Sequence, residues 1–172
     1  MEGFTVTNGY SEAHGGAINW SASASPLTLN NCVFSANTGD NGSGINVGMS
    51  GGGTLVLADC DFVGNFSTAV HLLEVGEVQI TNCNFIGNTG GICINETTNI
   101  TISHCTFADN HAYYGGGILF GNDSAGLVTN CIFIGNVANW GEVSVATTLP
   151  PSLKVARSMR TELKTAEAVC GV

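Results

Sequence analysis

The amino-acid sequence predicts an all-β fold, a right-handed parallel β-helix of about five full coils. An eleven-residue pattern occurs five times, and in each copy alternating apolar residues are followed by cysteine, phenylalanine and asparagine at fixed positions. Another apolar-x-apolar triplet, mostly preceded by small residues, comes before each copy. The five cysteines of the pattern are 28, 23, 22 and 26 residues apart. A repeat of this length that contains only strand-period segments is typical of a solenoid. The copies span residues 27–37, 55–65, 78–88, 100–110 and 126–136.

Each repeat contains three apolar-x-apolar triplets, which predicts three short strands per coil. Successive side chains of a strand point to opposite faces, so the apolar residues of each triplet face the interior. Coils then stack as parallel strands about 4.8 Å apart, and the rule for parallel crossovers makes them right-handed. We expect the asparagines to lie at a turn, where stacked amides bond along the axis. Three columns are predicted: Cys32, Cys60, Cys83, Cys105 and Cys131; Phe34, Phe62, Phe85, Phe107 and Phe133; and Asn37, Asn65, Asn88, Asn110 and Asn136.

The two ends of the chain depart from the repeat. Phe4 and Val6 take the cysteine and phenylalanine slots of a third strand, so the chain is predicted to start part-way round a coil. The β-helix domain is predicted to span residues 1–146. Residues 147–172 form a tail in which Pro150-Pro151 ends the strand pattern. Two interpretations of the tail stay open: a short C-terminal helix that caps the solenoid, and an extension that is not native to the domain. Helical spacing is seen at Leu153, Ala156, Met159, Leu163 and Ala166.

Two short motifs of the repeat resemble those of a known family. Gly15-Gly16-Ala17-Ile18 reads GGAI, and Phe34 to Asn37 and its four copies read FxxN. Their alternation over residues 3–146 resembles the repeats of the chlamydial-type polymorphic outer membrane proteins, and of right-handed parallel β-helix repeat proteins more widely. The resemblance implies a surface-exposed passenger that takes part in adhesion. It transfers no catalytic residue, because the motifs of that family are structural.

The distribution of charge excludes two classes of partner. Residues 1–153 contain eleven acidic residues and no Lys or Arg, while all four basic side chains lie between Lys154 and Lys164. We therefore expect no binding to nucleic acid, because neutralisation of phosphates supplies most of that affinity. We also expect no direct membrane insertion, because no apolar run approaches the length of a transmembrane helix. The acidic composition predicts an extracellular protein, and the resemblance implies association with the outer membrane. We expect its export signal to lie outside this chain.

The cysteines are predicted to be core thiols rather than disulfides or metal ligands. Stacked Cβ atoms about 4.8 Å apart exceed the usual disulfide separation near 3.8 Å. A straight column also offers no tetrahedral set of metal ligands. We expect the five repeat cysteines to be buried and reduced, and we expect no cofactor. Cys93, at an outward position, and Cys170, in the tail, are the candidates for intermolecular pairing.

A catalytic site would need suitable side chains among the residues that the alternation places on the outer faces. Asp61 is the one carboxylate among the middle residues of the triplets. Glycosidic hydrolysis needs two carboxyl groups roughly 5 to 9.5 Å apart, and no face provides such a pair. The sequence therefore predicts a non-catalytic surface or secreted segment, a stalk or adhesin passenger. The alternative is a fragment of a carbohydrate-active β-helix enzyme that lacks its catalytic coils.

The corner that follows each repeat asparagine is the candidate binding site. We expect His111, Tyr113, Tyr114 and Trp140 to lie there, with Tyr114 and Trp140 on consecutive coils, each four residues after its asparagine. Aromatic side chains bind sugars and proteins because they combine apolar area with a polar tip. The partners predicted are glycans or cell-surface proteins. The other interpretation is that these rings fold back and seal the corner. The four histidines, His71 among them, are expected to be ordinary surface residues.

Overall fold

The computed structural model describes residues 1–21, 25–48, 52–140 and 145–147, and the fold is a parallel β-solenoid. The described residues contain no helix, and so none long and apolar enough to cross a membrane. Three parallel sheets run the length of the solenoid, and each coil contributes one short strand to each sheet. The predicted all-β solenoid of about five coils is therefore confirmed.

The first sheet contains the strands that follow the small residues of each repeat. Every pairing in it is parallel and joins consecutive coils, as in the register Ile92↔Ile118. Its strands are β2 (Ile18–Trp20), β5 (Ile45–Gly48), β8 (Val70–Leu73), β11 (Ile92–Asn95), β15 (Ile118–Phe120) and β19 (Val145–Thr147).

The second and third sheets contain the two halves of the eleven-residue pattern. The second sheet consists of β3 (Leu27–Asn30), β6 (Thr54–Ala58), β9 (Glu77–Thr81), β12 (Ile100–Ser103) and β16 (Gly126–Thr129). The third sheet consists of β1 (Thr5–Thr7), β4 (Val33–Ser35), β7 (Asp61–Val63), β10 (Asn84–Ile86), β13 (Thr106–Ala108) and β17 (Ile132–Ile134). Val6 pairs with Phe34, so the first described strand occupies the slot that its sequence predicts.

The core of the solenoid is a continuous apolar column in which the phenylalanines stack face to face. The rings of Phe62, Phe85 and Phe107 follow one another with centroids 4.8 Å apart and planes within 3° of parallel. This spacing equals the distance between parallel strands, so the ring stack is imposed by the backbone ladder. The predicted phenylalanine column is confirmed.

The asparagine column closes the turn that follows the third sheet. Asn65 donates from Nδ2 to the Phe34 carbonyl, 3.0 Å away, and to Asn88 Oδ1, 2.9 Å away. Its Oδ1 accepts the backbone N–H and the Nδ2 group of Asn37, each over 3.0 Å. The side chain thus makes four hydrogen bonds while 1 % exposed, which satisfies every polar atom of a buried amide. The predicted amide ladder is confirmed.

The cysteine column lies beside a left-handed turn between the second and third sheets. The residue before each repeat cysteine has a positive φ, as at Asn82 (55°) and His104 (56°). Asn and Asp adopt this conformation more readily than most residues do. Each thiol donates to the carbonyl two residues earlier, and Cys83 Sγ lies 3.3 Å from the Thr81 oxygen. The five thiols are free; four are buried, and Cys131 in the last of these coils is partly exposed.

Two details of the fold differ from what the sequence pattern predicts. The pattern predicts a loop of variable length after each repeat asparagine, but His111–Tyr114 and Val137–Trp140 form strands β14 and β18 of a fourth, two-stranded parallel sheet. The pattern also places a last first-sheet triplet at Val143 and Val145, but in β19 Val145 rather than Val143 pairs with Ile118, a shift of two residues. Residues 148–172, including the predicted tail helix and Cys170, lie outside the described residues.

Candidate ligand-binding corner

The candidate corner lies between the asparagine column and the first sheet. Strands β14 and β18 pair there in parallel, with the register His111↔Val137 and Tyr114↔Trp140. This backbone pairing places Tyr114 and Trp140 at equivalent positions of consecutive coils, as the sequence predicts. The side chain of Trp140 lies outside the described part of the chain.

The two tyrosines of β14 differ in their exposure and in their packing contacts. Their ring centroids are 4.8 Å apart, and their planes meet at 83° in an edge-to-face contact. Tyr114 is partly buried and packs on the outward side chains of Cys93 and Leu119. Tyr113 is 57 % exposed. Tyr114 therefore covers the outer face of the first sheet, while Tyr113 and the exposed His111 stand at the surface.

A groove of about 280 Å³ opens beside Tyr113 and extends over four coils. Its floor is formed by Cys93 and Leu119, buried residues whose side chains point outward from the first sheet. Its polar lining residues come from successive coils: Asp40 and Asn41, then Ser67 and Thr68, then Thr89. An apolar floor with a few polar groups around it and an exposed ring at its edge has the composition of a small-molecule or sugar site.

Hydrogen bonds across the coils hold the polar side of this groove in place. Ser67 Oγ donates to the Asp40 carbonyl over 2.7 Å. Asn41 Nδ2 lies 3.1 Å from Nδ1 of His14, on the neighbouring coil. The Asp40 carboxylate is exposed at the surface. Because no Lys or Arg occurs in residues 1–153, the groove offers acidic and neutral groups to a ligand and no cation.

A buried polar row on the first sheet was missed at the level of sequence. His71 was expected to be an ordinary surface histidine, yet it is only 7 % exposed. Its Nδ1 lies 2.7 Å from Asn46 Oδ1, and Asn46 Nδ2 donates to Asn19 Oδ1 over 2.9 Å. Because a carbonyl oxygen only accepts, the proton of the imidazole lies on Nδ1. Burial, and to a smaller extent the charge of His14, lower the pKa of His71 to about 4.

The burial of His71 has a local cause. Asn46 and Cys93 occupy the rungs on either side of it, and side chains about 4.8 Å apart leave little of the ring open to water. The sequence does contain a signal for this burial, because Asn46 occupies the same register one coil earlier. An amide at that position can form a hydrogen bond with the imidazole directly above it.

The two carboxylates in the described strands lie on different sheets, and each accepts a hydrogen bond. Asp61 lies on the third sheet and accepts from Asn84 Nδ2 over 2.8 Å. Glu77 begins β9 on the second sheet and accepts from Gln79 Nε2 over 2.9 Å. It precedes the apolar triplet by one residue, so it is not one of the triplet's middle residues. Within the described ranges, no group of three His, Cys, Asp or Glu side chains could hold a metal ion.

Comparison with known proteins gives one match. A family model described as "Right handed beta helix region" matches residues 43–146, more than half of the chain. No curated protein and no solved structure matches the chain. The matched segment includes β14, Tyr113, Tyr114 and all of the groove residues except Asp40 and Asn41.

Proposed function

The chain belongs to the right-handed β-helix family, and from that premise we propose that it is a non-catalytic binding segment of a surface or secreted protein. The observation that carries the proposal is the groove beside Tyr113, where an exposed ring stands over a buried apolar floor. Such a site buries one face of a ligand and leaves polar groups to orient it. Among the residues that line it, Asp40 is the one carboxylate, whereas hydrolysis of a glycosidic bond uses two.

The rod that carries the groove suits a stalk or an adhesin passenger. Stacked rings connect consecutive coils from Phe34 to Phe133, and stacked amides connect them from Asn37 to Asn136. In a solenoid each coil contacts only its neighbours, so a surface site can extend over several coils. The resemblance to the polymorphic outer membrane proteins supports the finer proposal of an adhesin passenger at the outer membrane.

The proposed ligands are glycans or cell-surface proteins with few negative charges. The chain carries a formal net charge of −9 at pH 7, and all of its Lys and Arg residues lie beyond the described solenoid. Anionic partners would be repelled by this surface. Tyr113 supplies an apolar ring face and a hydroxyl, which together suit a sugar ring or a protein side chain.

Binding of the purified chain to a glycan array and to intact cells tests the proposal. We expect binding that is weakened by Tyr113→Ala and left unchanged by Leu127→Ala. Leu127 is a matched control because it is an exposed apolar residue on the second sheet, away from the groove. Equal binding by the two variants, or no binding at all, would contradict the proposal. Release of reducing ends from pectin or alginate would contradict its non-catalytic part and favour the enzyme alternative.

A further inference from the structure

A single row of side chains crosses all of the coils on the outer side of the corner. Each member immediately follows the residue in the asparagine slot of its coil, and parallel backbone hydrogen bonds join the members in sequence. Tyr10 bridges Thr38, the N–H of Phe66 bonds the Asn37 carbonyl, and the N–H of His111 bonds the Asn88 carbonyl. The row, called here the corner row, consists of Tyr10, Thr38, Phe66, Thr89, His111 and Val137.

Rings and hydroxyls alternate along the corner row from Tyr10 to His111. Tyr10, Phe66 and His111 are each separated by one threonine, so successive rings are two rungs apart, about 9.6 Å. Tyr10 is 70 % exposed and Phe66 is 65 % exposed, and His111 is exposed as well. Exposed aromatic side chains at a fixed spacing on a rigid scaffold have no role in the core, since the phenylalanine column already fills it.

We propose that the corner row binds an uncharged, extended polysaccharide of the cellulose or chitin type, with the polymer parallel to the solenoid axis. This inference rests on the proposed binding role and specifies its ligand. In such a polymer each sugar adds to the chain a length about equal to the distance between two rungs, and every second sugar presents the same face. Sugars that share a face therefore meet Tyr10, Phe66 and His111 in turn, while the hydroxyls of Thr38 and Thr89 face the sugars between them.

The spacing disfavours a peptide in β conformation, and the charge disfavours an acidic polysaccharide. Alternate side chains of a β-strand repeat at about 6.7 Å, which does not match rings about 9.6 Å apart. An acidic polysaccharide would bring negative charge to a surface whose residues 1–153 carry eleven acids and no Lys or Arg. Thr89 also lines the groove beside Tyr113, so the corner row and the groove form one continuous surface.

Calorimetric titration with oligosaccharides of defined length tests this inference. We expect cellohexaose or chitohexaose to bind at least about tenfold more tightly than the corresponding disaccharide, because only the longer chain spans two rings. The double variant Tyr10→Ala/Phe66→Ala should lose about tenfold or more in affinity, and Phe66→Tyr should retain it. The control Val63→Ala/Ile86→Ala removes two exposed apolar side chains from the third sheet, away from the corner row, and should bind as the unchanged chain does.

The outcomes separate this inference from the proposed function. Binding that is lost in Tyr113→Ala but unchanged in Tyr10→Ala/Phe66→Ala would overturn the corner row and leave the groove as the site. Equal affinity for the hexasaccharide and the disaccharide, or equal affinity for an oligogalacturonate of the same length, would also overturn it. Circular dichroism of each variant shows that the solenoid is intact, which we expect because the exposed rings contribute little to the core.

Discussion

Asn88 and Asn110 occupy the same position of consecutive coils, and Oδ1 of Asn110 accepts both the side-chain Nδ2 and the backbone N–H of Asn88, each over 3.0 Å. Asn88 Nδ2 also donates to the Phe62 carbonyl of the preceding coil over 2.9 Å. One buried side chain thus connects three coils. A side chain with fewer polar atoms cannot replace it without leaving buried groups unpaired.

The first prediction follows from this ladder. Asn88→Ala should lower the free energy of unfolding by about 2 to 4 kcal/mol, because the backbone N–H of Asn65 and one hydrogen of its Nδ2 group lose their buried acceptor. Asn84→Ala is the control: Asn84 is an outer-face asparagine that bonds only Asp61 among the hydrogen bonds found for its side chain, and its loss should cost less than about 1 kcal/mol. Urea denaturation measures both, and equal costs would contradict the structural role of the ladder.

The second prediction concerns the stacked rings. Phe85→Ala should cost about 3 to 5 kcal/mol, since it removes a fully buried ring from between Phe62 and Phe107. Thr101→Ala, on the exposed outer face of β12, should cost well under about 1 kcal/mol. A denaturation series in which the two variants lose the same stability would mean that the assignment of inner and outer faces is wrong.

The columns could be predicted from sequence because each depends on one residue type that recurs at one position. Alternation decides which face is inward, and the repeat length decides which residues stack, so Phe62 and Asn65 needed no further information. The strand His111–Tyr114 could not be predicted in this way, because its pairing partner occurs in only one neighbouring coil. The groove could not be predicted either, because it is formed by corner residues and the number of these residues differs between coils.

The outer face of the first sheet shows where alternation is insufficient. The alternation along each strand predicts that His71 and Leu119 point away from the core, and both do. A side chain that points outward can nevertheless be buried. Tyr114 packs over Leu119, and neighbours on adjacent rungs cover His71. Burial on an outer face depends on side chains from other coils, and a pattern within one repeat contains no information about them.

The third prediction concerns thiol reactivity. In native buffer Cys131, which is partly exposed, should react with a thiol reagent well before Cys32, Cys60, Cys83 and Cys105, which are buried. A hydrogen bond with the thiol of Cys105, together with burial, raises the pKa of both Cys83 and Cys131, so the access of the reagent to the sulfur, rather than the fraction of thiolate, separates the two sites. Peptide mapping by mass spectrometry after timed labelling distinguishes the sites. Labelling of Cys83 as fast as that of Cys131 without denaturant would contradict the buried column.

The last prediction concerns acid stability. Burial lowers the pKa of His71 from 6.5 to about 4, so the folded chain holds this imidazole neutral while the unfolded chain protonates it. The free energy of unfolding is therefore unaffected by this group above pH 6.5 and falls as the pH is lowered from 6.5 towards 4. The loss is at most about 3.5 kcal/mol, from about 1.4 kcal/mol for each pKa unit.

Replacing the buried histidine isolates this contribution from that of the carboxylates. His71→Asn keeps a side chain that can bond Asn46, and it should make the unfolding free energy less dependent on pH between 6.5 and 4. His104→Asn is the matched control, because His104 is exposed and its left-handed backbone favours Asn. Urea denaturation at several pH values measures both variants. If His71→Asn loses as much stability on acidification as the unchanged chain, the buried neutral imidazole does not contribute to the acid response.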